Sequence, residues 1–437
     1  MGSISVYKWL IKDWCVVNLR LPMSCIKLLK FLVLLPFDQV KSLTNLMSAH
    51  RYYPIKMLDV IVNLNMKRIQ KNIKQLIESD FIDKEKELLK HVAIRSIILK
   101  WPSKKNDIIE KGVLLITFTT TFPFYYSNID LKRLQKYFHI VLEPSWAGYC
   151  LGNILFWSNG DMANPVIIQS TERTDFRFIQ SLKSNLIPVD FGASDWVDHT
   201  IFQKINNMPK DYDSIYVANY RDIKRQHVYF KALSQINVTN YKAAIVCGKW
   251  GNGKDTIHEL IDYYKIRNKI DVYEALSLND LNLLLNRSKV NVLLSFKEGS
   301  NRSVFESLFA GTPGIVLINN IGLNKDYINK HTGMLVKEKN LAKALIHFKE
   351  SWKNYRPREW ALENISPEVT TRKLENVLKS IANTWENNLE VKVNRPEVQY
   401  YFPSKVKPGP MDLKELLMLF SIQETINDDA LESELFR

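Results

Sequence analysis

Apolar residues recur at helical spacing through much of the first hundred positions. Between Met57 and Ile77, the residues Ile61, Leu64, Ile69, Ile73, Leu76 and Ile77 share one face and lysines take the other, a period that predicts an amphipathic helix. A second helix is expected from roughly Lys84 to Leu99, after which Trp101-Pro102-Ser103 and Gly112 punctuate the chain. The period then shortens. Val113 to Thr119 reads as a buried strand, as do Ile140–Leu142, Val166–Ile168 and Ile187–Val189, with helices over Asp130–Tyr137 and Thr174–Leu182 between them. That alternation predicts a small doubly wound α/β unit. From 213 to 350 the rhythm is clearest. Strands at Ser214–Ala218, Ala243–Cys247, Ile270–Tyr273, Val290–Leu294 and Ile315–Ile318 alternate with helical Gln226–Leu233, Thr256–Tyr264 and Asn279–Leu285. A Rossmann-like parallel sheet is expected there. Helices over Leu341–Trp352 and Ser366–Ala382 follow, and the acidic tail holds one apolar helix, Leu413–Phe420.

Length and charge refine this picture. A chain of 437 residues has room for two to three domains with ample cores. Four scattered cysteines show no metal spacing and no disulfide framework, which favours a reducing compartment. Residues 1–150 hold 23 Lys and Arg against 12 Asp and Glu, a net +11 of the chain's +14. A basic part of this kind suits an anionic membrane surface or lipid-phosphate acceptor, a solvated basic face being the alternative. No nucleic-acid motif accompanies the charge, so nucleic acid is not an expected partner. The most apolar stretch, Ile26 to Phe37, is too short to span a bilayer and carries Lys27 and Lys30. It suits a bilayer interface or a packed helix. Trp9, Asp13 and Trp14 argue against a signal peptide. The expected location is the cytoplasm, with the inner face of a membrane as an available surface.

The chemistry concentrates at residues 295–317. Glu298 and Glu306 stand eight positions apart, an apolar strand precedes the first, and a short apolar helix carries the second before Gly311 and Pro313. A strand, a polar loop and a helix N-terminus are how α/β folds present a ligand at the carboxyl end of a parallel sheet. The helix start offers free N–H groups and a positive dipole end to a phosphate, and a carboxylate one turn in can accept hydrogen bonds from two vicinal hydroxyls. Phosphate and diol together indicate a nucleotide sugar. A structural alternative is that Ser303-Val-Phe-Glu306 forms a capping box and Glu306 only satisfies a helix end.

Glu298-Gly299, Glu306, Gly311 and Pro313 resemble the signature of retaining, GT-B-type glycosyltransferases of the family-4 group. The resemblance implies two Rossmann-like domains facing a cleft, here with a helical extension over 1–110, an acceptor domain over 111–205, a donor domain over 206–360, and a crossover helix and acidic tail over 361–437. Asp195-Trp-Val-Asp198-His-Thr-Ile-Phe202 is similar to the family's segment between the domains, with Asp195-Trp196 in place of Asn-Gly. By the resemblance Glu306 holds the ribose hydroxyls. Glu298, with the backbone of Gly299, Ser300 and Asn301, lies against the donor sugar and phosphates. Lys224 matches the family's diphosphate-binding lysine, whereas Asn219 stands where the family has Arg, so Arg221 or Arg225 would supply the second cation. Glu298, Lys224 and Arg221 are thus the candidate catalytic groups. The loop Gly299–Arg302 also faces the phosphate, and Gly248 and the segment Tyr273, Glu274 and Ala275 complete the donor set. The implied reaction needs no metal and no cofactor beyond the nucleotide-diphosphate sugar. Its implied acceptor is a glycan or a lipid-linked sugar.

Three further readings arise from the residues. Glu143, Trp146 and Tyr149 follow a strand end and are the acceptor-side candidates, a structural turn being the alternative. Gly248, Gly253 and Lys254 have P-loop spacing, but Asp255 replaces the Ser or Thr that would hold Mg²⁺. The departure at Asn219 also admits a non-catalytic, membrane-associated scaffold that binds a nucleotide sugar.

Overall fold

The computed structural model describes residues 4–80, 92, 95–145, 150–158, 161–248, 251, 253–382, 385, 392–395, 400–403, 410–423 and 426–436. The chain forms two compact units: Arg20–Trp196 with Thr370–Arg437, and Met1–Leu19 with Val197–Val369. The boundary between Trp196 and Val197 falls inside the Asp195–Phe202 segment. The chain returns within the helix Pro367–Ile381. The expected helical extension over 1–110 is therefore divided between the two units.

The first unit is built on strands β1 (Ser96–Lys100), β2 (Gly112–Thr117), β3 (Phe138–Glu143), β4 (Val166–Gln169) and β5 (Leu186–Val189), which lie side by side in that order. β1 is antiparallel to β2 and the rest are parallel. Alternate side chains enter opposite cores. Leu114, Ile116, Ile140 and Leu142 pack with Leu46, Val62 and Ile69. Val113, Leu115 and Val141 pack with Leu374 and Leu378 of the returning helix. Burial on both faces explains why these strands read as continuous apolar runs. Among the described residues the strands add in one direction and the order does not reverse, in place of the expected double winding.

Two helical expectations also need correction. Ser96 to Leu99, read as the end of a helix, is the edge strand β1. Ile97-Ile98-Leu99 is a short apolar run, which periodicity alone cannot assign. The helix expected over Met57–Ile77 is three helices, Lys56–Leu64, Met66–Lys71 and Ile73–Asp80. It breaks at two asparagines whose amides donate back to the chain, Asn65 to the Ile61 carbonyl and Asn72 to the Arg68 carbonyl, both at 2.8 Å.

The second unit carries six parallel strands: β6 (Ser214–Asn219), β7 (Ala243–Gly248), β8 (Ile270–Glu274), β9 (Asn291–Leu293), β10 (Gly314–Leu317) and β11 (Gly333–Val336). Their order is β8-β7-β6-β9-β10-β11. The chain winds outward from β6 to β8, then returns to place β9 on the other side of β6. This reversal opens a crevice at the carboxyl ends of β6 and β9, where open α/β sheets bind ligands. The first helix of the chain, Ile4–Asn18, belongs to this unit. Its Val6 is fully buried in the same core as Tyr216, Ile245 and Leu260.

Candidate active site

Each wall of the crevice is built by a strand and the loop that leaves it. β6 ends at Asn219, a 3-10 turn spans Asp222–Lys224, and the helix Gln226–Ser234 begins after Arg225. The buried Tyr216 hydroxyl donates to the Lys224 carbonyl and fixes the turn. Across the crevice, the chain leaving β9 is pinned to the segment after β10. The Glu298 N–H donates to the Ile321 carbonyl at 2.8 Å, the Ile321 N–H to the Phe296 carbonyl at 2.9 Å, and the Asn320 amide to the Ser295 carbonyl at 2.8 Å. The two walls meet where Lys224 Nζ donates to Glu298 Oε1 at 2.5 Å.

The second acid stands on the helix Arg302–Phe309. Asn301 caps it, its Oδ1 accepting from the Val304 N–H at 3.1 Å and from the Ser303 hydroxyl at 2.9 Å. Ser303 is therefore inside the helix, and the capping-box reading of Glu306 does not hold. Glu306 is buried, and its Oε1 accepts from Arg302 Nη2 at 3.1 Å, one turn before it. Burial raises the Glu306 carboxyl above its ordinary value, and Arg302 offsets this only in part. The ionised carboxylate is thus held at a cost.

Several polar atoms around the crevice are buried without a partner in the protein: Asn219 Oδ1, Gln226 Oε1, Ser295 Oγ and Arg302 Nε. Such orphans are rare in native structures, and each calls for an explanation. These four stand on or beside the two walls of the crevice, where a polar ligand would satisfy them, although others of the kind lie elsewhere among the described residues. Gln226 and Ser295 carried no sequence signal. They become visible only once β6 and β9 are neighbours.

The remaining expected donor residues divide. Gly248 and Asn219 sit opposite each other at the ends of paired strands, and a Cβ at Gly248 would meet only the Asn219 Cβ at 3.8 Å. Arg221 is exposed, and no ion pair of its own is among those of the described residues. Arg225 does not supply a free second cation. Its guanidinium is buried, donating to Asp13 at 2.6 and 3.0 Å and to Glu338 at 2.7 Å. Asp13 comes from a part of the chain remote in sequence, which is why the motif did not reveal it. Arg302, paired with Glu306, is the second cation that the structure sets in the crevice beside Lys224. The segment after β8 is also occupied: Tyr273 bonds Tyr212 at 2.5 Å through their hydroxyls, Glu274 pairs with Lys254 at 2.8 Å, and the Ala275 N–H donates to the Cys247 carbonyl at 2.9 Å.

That pairing also answers the P-loop spacing. Lys254 is spent on Glu274 at the surface, and Gly253 is there for packing. A Cβ at Gly253 would lie 2.5 Å from the Tyr220 carbonyl oxygen and 2.8 Å from the Trp9 ring. Lys254→Ala is expected to leave donor turnover within about twofold of wild type, as befits an exposed pair. A transfer assay checks it, and loss of activity would restore the phosphate role.

Gly322 is a positioning residue that the sequence reading missed. Its φ is +119°, and a Cβ there would stand 2.3 Å from the Glu298 carbonyl oxygen. Gly322→Ala is expected to push the Glu298 loop out of place and to lower turnover by about 10²-fold, the scale of a misplacement near 1 Å. Wild-type nucleotide affinity and turnover in this variant would refute the assignment.

Glu143 ends β3, and its register partners are Thr117 of β2 and, one step beyond the Leu142–Ile168 pair, Gln169 of β4. All three are buried, so a polar row crosses the carboxyl edge of the first sheet. Trp146 and Tyr149, the other acceptor-side candidates, lie outside the described residues. Among the described residues no group of three or more His, Cys, Asp or Glu side chains could hold a metal ion.

Residues 197–359 match the family model of glycosyl transferases group 1, which is rather more than a third of the chain. No curated protein matches the chain. Among solved structures it is similar to S. aureus TarM in complex with fondaparinux, α-GlcNAc-glycerol and UDP, at 16% identity over 56% of this chain and 51% of that one, with a TM-score of 0.46. The sucrose-phosphate synthase of Thermosynechococcus elongatus is 15% identical over 62% of this chain and 74% of its own, TM-score 0.49. A glycosyltransferase from Rickettsia africae is 16% identical over 56% and 78%, TM-score 0.43. The chain spans about half the length of TarM. The matched segment holds all six strands of the second sheet and both walls of the crevice.

Proposed function

We propose that the protein is a glycosyltransferase that binds a nucleotide-diphosphate sugar in the crevice between β6 and β9 and transfers the sugar to an acceptor hydroxyl with retention of configuration. The single observation that carries the reading is the Lys224–Glu298 pair, closed at 2.5 Å across the point where the strand order reverses. As the glycosidic bond breaks, negative charge grows on the leaving phosphate. Lys224 and Arg302 stabilise it, together with the N–H groups that open the helix Arg302–Phe309. Glu306 accepts the ribose hydroxyls, whose donors replace part of the stabilisation that burial denies the carboxylate. Gly299, Ser300 and Asn301 bring backbone close to the phosphates. The departing phosphate oxygen takes the acceptor's proton on the face it leaves, so no separate nucleophile and no metal are needed. The acceptor is a glycan or lipid-linked sugar of surface-glycan or glycolipid synthesis.

The test is transfer and donor hydrolysis with UDP-, GDP- and ADP-sugars, with and without chelator, and product anomers assigned by NMR. Turnover that survives chelator and keeps the donor's anomeric configuration supports the reading. Inverted product or a strict metal requirement overturns the mechanism. Asn219 at the family's arginine position favours a second reading, a nucleotide-sugar-binding scaffold. Tight donor binding with no turnover on any acceptor would select it.

A further inference from the structure

Exposed large apolar side chains are unevenly spread. Among the described residues, 17 of 25 lie between Ile4 and Leu64. On the helix Ile4–Asn18 they form a line. Ile4, Tyr7, Ile11 and Trp14 follow at three- and four-residue steps, one face of a helix, and Ile11 and Trp14 are 63% and 57% exposed. Lys8 and Lys12 flank the line, and Lys12, still largely exposed, also pairs with Asp222 of the turn that carries Lys224. The opposite face is the one held by protein: Val6 is in the core, Trp9 and Leu10 pack against it, and Asp13, the helix's only acid, reaches Arg225 and His227. The helix Arg20–Leu34 of the other unit has the same character on its own. Leu21, Ile26, Leu29, Leu32 and Val33 are exposed, with Lys27 and Lys30 among them, while Ser24 and Phe31 turn inward.

We propose that the outer face of Ile4–Asn18 binds the surface of a bilayer carrying anionic lipid, and that through Asp13 the same helix couples this surface to the loop bearing Lys224. Contiguous exposed apolar patches mark partner surfaces. Lysines beside an aromatic and aliphatic stripe fit head groups above and acyl chains below. No helix of the described residues is long and apolar enough to cross a membrane, so the contact is interfacial. A second copy of the chain is the poorer occupant, because a two-fold pairing would set Lys8 and Lys12 against their own copies. The coupling has a short path, one ion pair and one peptide link. Asp13 holds Arg225, and Arg225 is the neighbour of Lys224. Lipid that favours the docked helix favours the ordered loop, and by linkage a bound nucleotide tightens lipid binding by the same factor. This second part rests on the proposed function.

The test is co-sedimentation of the full chain with phosphatidylcholine vesicles, with and without phosphatidylglycerol, alongside UDP, GDP and ADP titrations. Wild type is expected to bind the anionic vesicles alone, more weakly at high salt, and Ile11→Asp/Trp14→Asp to lose at least about tenfold in vesicle affinity with its Tm unchanged. The milder Lys8→Glu should lose part of the affinity for anionic vesicles. Equal binding by wild type and the double variant overturns the lipid assignment, as does a wild-type dimer that the double variant makes monomeric. Anionic vesicles should raise nucleotide affinity several-fold in wild type and leave Asp13→Asn unchanged; an equal effect in both overturns the coupling. The vesicle arm uses no nucleotide, so a protein that binds lipid and none of the three nucleotides sinks the proposed reaction and the coupling while the lipid surface stands.

Discussion

Lys224→Ala is expected to lower kcat by about 10²–10³-fold, the scale of removing one preorganised donor from a developing anion. The side chain is the only lysine that bridges the two walls of the crevice among the described residues, so nothing nearby replaces it. The same variant leaves Glu298 buried without its cation. Removing one partner of a buried pair costs more than the pair was worth, on the order of 3–5 kcal/mol at full burial and less here, where both side chains keep some contact with water. The loop after β9 should therefore loosen as well. Lys224→Ala with Glu298→Gln should be less damaged than the sum of the single variants, because the unpaired charge is gone. Steady-state kinetics on the four proteins of this cycle measure it. Additive losses would mean that the pair has no mutual role, and unchanged kcat in Lys224→Ala would remove it from the chemistry.

Glu306→Gln is expected to move affinity and stability in opposite directions. A carboxylate accepting two ribose hydroxyls makes charge-assisted bonds of about 1.5–3 kcal/mol each. An amide oxygen keeps weaker versions, so donor affinity should fall by about tenfold to a hundredfold. Stability should rise at neutral pH. The folded pKa of Glu306 lies above its unfolded value. Between the two, the native state binds more protons than the unfolded one, so stability falls as pH rises through that window. Above the folded pKa the cost is fully present. Below the unfolded value it is gone. The Tm advantage of Glu306→Gln should accordingly be seen at neutral pH and vanish as pH falls below about 4.5, the ordinary glutamate value. Differential scanning calorimetry across that range decides the matter. A variant less stable than wild type at neutral pH would show that Arg302 repays the whole cost of burial.

The parts of this architecture that sequence revealed are those governed by local pattern. Five of the six strand positions of the second unit follow from apolar, β-branched runs between helical segments, the edge strand Gly333–Val336 being the one not read, and the Glu298–Pro313 loop is legible because a helix start and two acids fall within one short span. What was illegible depends on neighbours remote in the chain. Arg225 reads as a surface cation because Asp13, which buries it, lies 212 positions earlier. Asn65 and Asn72 interrupt an apolar period that looks continuous, because a side-chain amide competes for backbone carbonyls without altering the pattern of apolar positions. β1 passed for a helix end since three apolar residues in a row suit either state. The one-way order of the first sheet cannot be read from alternation at all, because strand order is set by which edge each crossover returns to.

The split composition of the second unit bears on how the protein is made. Ile4–Asn18 leaves the ribosome ahead of the groups that hold Asp13, which are synthesised more than two hundred residues later. At roughly 5–20 residues per second the delay is on the order of 10–40 s. Throughout that interval a nascent segment with both greasy sides uncovered must be shielded, by a chaperone or by lipid, or it becomes the seed of aggregation. Expression of residues 197–369 without the opening segment would leave Arg225 with no Asp13, and insoluble product is the expected harvest.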